Sequence, residues 1–148
     1  MSEHGTIIAA HGRQYRVELA GGEILPCFTR GKKSEVACGD RVRIQRSGSD
    51  QGVIDGIEPR RSLLYRSNLC REKLIAANVT QIIVVVATEP SFSVELVSRC
   101  LVAAESQDLA VRIVLNKCDL TELLPAAAPT PAPFARLGYP ILRLSARA

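Results

Sequence analysis

Two hydrophobic rhythms divide the chain. Through residues 6–57 apolar and polar positions alternate in short runs, whereas from residue 81 onward the apolar residues stand together in blocks. In the first region Tyr15, Val17 and Leu19 face one way and Gln14, Arg16 and Glu18 the other, while Val42 and Ile44 alternate with Arg41, Arg43 and Gln45. A period of two belongs to strands that bury one face. It predicts five strands, at 6–10, 13–19, 23–28, 41–46 and 52–57. The breaks between them are His11-Gly12, Gly21-Gly22, Gly39-Asp40 and Ser47-Gly48-Ser49-Asp50, all turn chemistry apart from the longer third connection. Five short antiparallel strands suit a small barrel, for which the OB-fold is the commonest answer and an SH3-like barrel the alternative.

The second region reads as α/β. Residues 81–87, Q-I-I-V-V-V-A, form an unbroken β-branched run, as in a strand buried on both faces of a parallel sheet. Turn residues follow at 88–91. Ser93 is placed to cap a helix with Glu95 in its first turn, and Val94, Val97, Leu101 and Ala104 recur at helical spacing. A second strand is predicted at 111–115. After the Pro- and Ala-rich stretch 125–133, Phe134 to Leu137 reads as a short helix stopped by Gly138, and a third strand at 139–144 ends in Ser145-Ala146.

Charge separates the two regions as well. Residues 1–75 carry 13 Lys and Arg against 9 Asp and Glu, and residues 76–148 carry 6 against 6, so the net charge of +4 lies in the barrel and the segment just after it. A basic barrel points to nucleic acid. Phosphate contacts are expected from Arg30, Lys32 and Lys33 in the long loop, Arg41, Arg43 and Arg46 on one strand, and Arg60 and Arg61 beyond it, with Arg66, Arg71 and Lys73 further on. The bland alternative is a solvated surface, since acids are interleaved. Aromatic residues make up only 4% of the chain, and Tyr15 reads as core, so few rings are left to stack single-stranded bases. Backbone and shape recognition of folded RNA is the better expectation. Five cysteines without a CxxC pair read as reduced thiols of a cytoplasmic protein. His4 and His11 are expected to lack partners. No signal-peptide core is apparent at the N-terminus, and no apolar run approaches the ~20 residues that span a membrane.

The specific chemistry sits where the run 111–115 stops, at Asn116-Lys117-Cys118-Asp119. Strand-then-NKxD is how GTPases tell guanine from adenine. Guanine offers two adjacent donors, the ring N–H and the exocyclic amino group, and an ionised carboxylate accepts both in one planar pair. That is the role expected of Asp119. The Asn116 amide can bond the base while tying down a neighbouring loop, and the Lys117 stem can lie along the purine face. Ser145-Ala146, one βα unit later, matches the second guanine signature, in which the backbone N–H at Ala146 faces the guanine carbonyl. A phosphate loop of the form GxxxxGK followed by Ser or Thr does not precede Asn116. Gly31-Lys32-Lys33-Ser34 fails as one: Pro26 stands where the first glycine belongs, and Lys33 stands where a Mg²⁺-binding hydroxyl belongs.

Together these features resemble the ribosome small-subunit-dependent GTPase A (RsgA) family, circularly permuted GTPases with an N-terminal OB-fold. The resemblance rests on the basic barrel with Cys38-Gly39-Asp40-Arg41-Val42, the exit Pro59-Arg60-Arg61-Ser62-Leu63, the lead-in Ala76-Ala77-Asn78-Val79, and the two guanine signatures. It implies an OB-fold RNA- and ribosome-binding domain at 1–65 and the N-terminal part of a permuted P-loop GTPase domain at 66–148. It further implies a monomeric factor that binds the small ribosomal subunit through its ribosomal RNA late in assembly and hydrolyses GTP. In that family the phosphate loop, the switch regions and a zinc-binding domain come after the guanine motifs. Mg²⁺ and a structural zinc are therefore expected only with a C-terminal part beyond residue 148, and no hydrolysis is expected from these residues alone. The isolated sheet should be marginal past residue 80, leaving a protease-resistant core near 1–65. The alternative is a non-catalytic RNA-binding barrel fused to a degenerate nucleotide fold.

Overall fold

The computed structural model describes residues 2–31, 35–67, 72–127 and 131–147. They form two compact units, Met1–Val79 and Thr80–Ala148.

In the first unit the alternating strands close on themselves. β1 (Ser2–His11), β2 (Gln14–Leu19), β3 (Ile24–Thr29), β4 (Arg41–Arg46) and β5 (Gly52–Ile57) make a closed barrel in the order β1-β2-β3-β5-β4. β4 returns to β1 antiparallel, and β3 and β5 run parallel, which gives an OB-like barrel. Inward positions interdigitate: Ile7, Tyr15, Val17, Leu25, Cys27, Val42 and Ile44 are each at most 2% exposed. Burial pushes the Tyr15 phenol and the Cys27 thiol up. β1 begins four residues ahead of the expected start. Ser2 to Gly5 carry no apolar alternation, yet their backbones pair with Val42 to Gln45 of β4 and so close the barrel.

A hairpin that the alternation does not announce comes after the barrel: β6 (Leu63–Ser67) against β7 (Glu72–Ala77). Its base is bonded to the loop before β4. The Ala77 N–H donates to the Cys38 carbonyl at 2.7 Å, and the Asn78 amide donates to the Gly39 carbonyl at 2.9 Å while accepting from the Arg61 N–H at 2.8 Å. Gly39 has φ +90°, and a Cβ there would lie 2.1 Å from the Ala77 carbonyl oxygen, so only glycine fits. Next to it Asp40 is fully buried, accepting from the Ala37 N–H at 2.8 Å and from two Arg60 nitrogens at 2.7 Å each. Arg60 also donates to the Glu35 carbonyl.

The second unit is a parallel sheet with helices: β8 (Gln81–Ala87), α1 (Val94–Glu105), β9 (Ala110–Asn116), α2 (Leu124–Ala127), α3 (Ala132–Arg136) and β10 (Ile141–Arg143), in strand order β10-β9-β8. The Ser93 hydroxyl caps α1 by accepting the Leu96 N–H at 3.2 Å, a contact type worth about 1 kcal/mol. Val97, Leu101 and Ala104 pack with Val86, Val111, Ile113, Leu115 and Phe134, whereas Val94, expected on that helix face, is exposed. Gly138, at φ +93°, follows α3 as expected. A further expectation fails. The run 81–87 is not buried on both faces: Ile83 and Val85 are 57% and 62% exposed, and Leu142 of β10 is exposed with them. Low polarity in a run thus reports the strand and not what covers it.

Candidate guanine-binding site

Parallel pairing brings the candidate residues together. Ala87 lies opposite Asn116, and Arg143 opposite Leu115, so the residues that come after β8, β9 and β10 emerge at the carboxyl edge of one sheet. Ligands bind open α/β sheets at that edge.

The Asn116 side-chain oxygen accepts from the Lys117 N–H at 2.8 Å and from the Ala146 N–H at 3.0 Å, tying the β9 turn to the β10 turn. The Cys118 N–H reaches the Leu144 carbonyl at 3.1 Å, a second tie between the same turns, and the Cys118 thiol donates to the Leu115 carbonyl. The Ser145 hydroxyl donates to Asp119 Oδ1 at 2.7 Å. Lys117, at φ +62°, stretches its side chain to the Glu89 carbonyl, which accepts from Nζ at 2.7 Å. Asn116, Lys117, Asp119, Ser145, Ala146 and Arg147 line a hollow of about 380 Å³.

The electrostatics favour a charged acceptor. The Ser145 hydroxyl bond, Asp119's own backbone N–H and the positive charges of Arg147 and Lys117 together hold the exposed Asp119 carboxyl below its usual range. Asp119 is thus an anion near neutral pH, and a carboxylate accepts hydrogen bonds through both oxygens. All five residues expected from the sequence meet here. The Ala146 N–H, expected to face a guanine carbonyl, is given to Asn116 instead. Arg147 is the residue that sequence reasoning missed; its signal was adjacency to Ser145-Ala146.

The basic residues of the barrel are not equivalent. Arg46 bonds Glu3 at 2.7 Å and Glu23 at 2.6 Å, and those carboxylates push its pKa up. Arg60 is held by buried Asp40, and Arg43 leans on Asp55 at 3.4 Å. Arg30 donates to the Gln45 side chain at 3.2 Å. The side chains of Arg41 and Arg61 form no ion pair among the described residues. Lys32 and Lys33, with Arg71 and Cys70, lie outside the described residues. His4, expected to be without partners, bonds Glu58 at 2.7 Å. It lines a larger hollow of about 660 Å³ with Glu18, Arg41 and Glu58, whose mixed charge selects no ligand class. Among the described residues no three His, Cys, Asp or Glu side chains come together to hold a metal ion.

The RsgA GTPase family model matches residues 57–148. The small ribosomal subunit biogenesis GTPase RsgA of Burkholderia pseudomallei is 54% identical over 144 residues, and that of Nitrosospira multiformis 56% identical over 143; each alignment covers 97% of this chain and 46% of the relative. The chain thus spans about half the length of these curated relatives. The crystal structure of YjeQ from Thermotoga maritima superposes with a TM-score of 0.71 at 29% identity, covering 99% of this chain and 53% of that one. YloQ, described as a circularly permuted GTPase, gives 0.65 at 25% identity with the same coverage. The barrel and the parallel sheet agree with the YjeQ structure, the family model takes in more than half of the residues, and the chain belongs to the RsgA GTPase family.

Proposed function

We propose that this chain supplies the guanine-selecting half of a circularly permuted GTPase that acts in late assembly of the small ribosomal subunit, in the cytoplasm. The observation that carries this reading is the Ser145–Asp119 hydrogen bond, because it joins two separate signatures into one acceptor site. Ser145 occupies Oδ1 of an ionised carboxylate, which keeps lone pairs on both oxygens for the two guanine donors. Lys117, drawn out toward Glu89, offers its stem as an apolar wall for the purine. Asn116 holds the two turns at one spacing, so the site is formed before the base arrives.

The 148-residue sequence contains no phosphate-loop motif, so its part is base selection, with weak affinity for GTP and no hydrolysis of its own. Mg²⁺ would supply charge neutralisation at the phosphates. The names of the relatives, small ribosomal subunit biogenesis GTPases, support the ribosomal context. The barrel is the proposed RNA-facing module. Arg41 and Arg61, which form no ion pair among the described residues, are its leading phosphate contacts, with Arg30 and Arg43 as further ones, whereas Arg46 and Arg60 hold the barrel together.

Asp119→Asn tests the base reading, because an amide replaces one acceptor with a donor. In a ¹⁵N NMR titration of the chain the variant should lose guanosine monophosphate binding by tenfold or more, on the order expected for a charged hydrogen-bonded pair, and gain xanthosine monophosphate. Unchanged preference would leave only the RNA-binding barrel with a degenerate nucleotide fold.

A further inference from the structure

We infer that Thr88 is a positioning residue of the guanine site, which holds the Lys117 peptide in the turn that aims Asp119 at the base. The inference rests on the guanine reading above. In the parallel register Ala87 and Asn116 are the last pair, so Thr88 and Lys117 leave the sheet side by side. Two bonds tie Thr88 to the Asn116-Lys117 pair. The Thr88 N–H donates to the Asn116 carbonyl at 3.2 Å, and the Thr88 hydroxyl donates to the Lys117 carbonyl, also at 3.2 Å.

Lys117 needs that support, because φ +62° is a left-handed conformation that a residue with a Cβ adopts only when its surroundings hold it there. The same turn sends Cys118 to Leu144 and Asp119 to Ser145, so its relaxation would move the carboxylate away from both. The Lys117 carbonyl also accepts the Leu120 N–H at 3.0 Å, but that bond is internal to the turn and travels with it. The Thr88 hydroxyl is different: it anchors the turn to β8. Glu89, one residue on, receives Lys117 Nζ at 2.7 Å, so consecutive residues hold both the backbone and the side chain of Lys117.

Thr88→Val keeps the shape and removes the hydroxyl, whereas Thr88→Ser keeps the hydroxyl and removes the methyl group. The probes are guanosine and inosine monophosphates, which differ by the exocyclic amino group that Asp119 pairs with. By NMR titration of the chain, Thr88→Val should weaken guanosine monophosphate binding about fivefold to tenfold, the range for one lost hydrogen bond. It should also shrink the preference over inosine monophosphate, which a packing role would leave unmoved. Thr88→Ser should stay within about twofold of the parent. Thr88→Ala must reproduce the loss, and it serves if the valine variant does not fold. A serine variant as weak as valine, or a valine variant like the parent, overturns the positioning role. If Asp119→Asn switches to xanthosine while Thr88→Val changes nothing, only this inference fails. If Asp119→Asn does not switch, or the parent does not bind guanosine monophosphate, the site reading falls and takes this inference with it.

Discussion

Asp119 shows how one side chain acquires its chemistry from neighbours far away in sequence. Its carboxyl is fully exposed, so its low pKa comes from specific partners, first the Ser145 hydroxyl and then nearby positive charge. Removing Ser145 should therefore do two things. Ser145→Ala should raise the Asp119 pKa toward the ordinary carboxylate value of about 3.9, read from the side-chain carboxyl carbon resonance in an acid titration. The sign is set by the depressed pKa: the favourable ionised state is fully present above the ordinary value and is lost as pH falls through the lower, folded one. Guanine binding by the parent should accordingly persist to more acidic pH than binding by Ser145→Ala. An unchanged midpoint in the variant would mean that Lys117 and Arg147 carry the shift. The same residue marks how much of the site is legible in the sequence. Asn116, Lys117 and Asp119 are identifiable because a carboxylate at that place has an expected purpose, whereas Thr88 is not, since nothing in an Ala-Thr-Glu string declares which backbone it will touch.

At the scale of elements, strands with a covered face are readable and strands with another purpose are not. β4, β5 and β8 begin and end where their apolar pattern does. The hairpin β6–β7 escapes because Leu63 to Ser67 mixes apolar, aromatic and basic residues without a clean period, and both its strands are largely open to solvent. Its position is set by backbone contacts to the 35–40 loop, which leave no hydrophobic signature. Gly39 is where the loop leaves least room beside β7. A methyl group there would meet the Ala77 carbonyl at 2.1 Å and would also oppose φ +90°. Gly39→Ala should therefore cost on the order of 3 kcal/mol in chemical denaturation of the first unit. Its marker is local: amide exchange at Ala77 should accelerate, because its bond to Cys38 is the one displaced. A variant with parental stability would mean that β7 can shift away at no cost.

For the whole molecule, the covalent order and the packing disagree about where the barrel unit ends. The strand pattern stops at residue 57 and the resemblance implies a boundary at 65, while the compact unit runs to Val79, where β7 is bonded to the 35–40 loop and Ser62 closes on the Val79 carbonyl at 2.7 Å. Buried Asp40 gripping Arg60 adds a pair whose loss costs about 3 kcal/mol in comparable settings. The second unit is less well sealed: Ile83, Val85 and Leu142 are exposed on its sheet, and Leu96, Val102 and Leu137 are exposed on and beside its helices. A small unit with that much apolar surface in water has little free energy in hand, so it should open first. Thermolysin, which cuts ahead of large apolar residues, finds a dense run of sites in Gln81–Ala87 once β8 is released. Limited digestion should therefore leave an N-terminal fragment that ends close to Val79, measured by intact mass. A limit fragment ending near residue 65 would show that the hairpin's bonds to the 35–40 loop are too weak to hold it. Equal resistance along the whole chain would instead show that the exposed sheet face costs the second unit nothing.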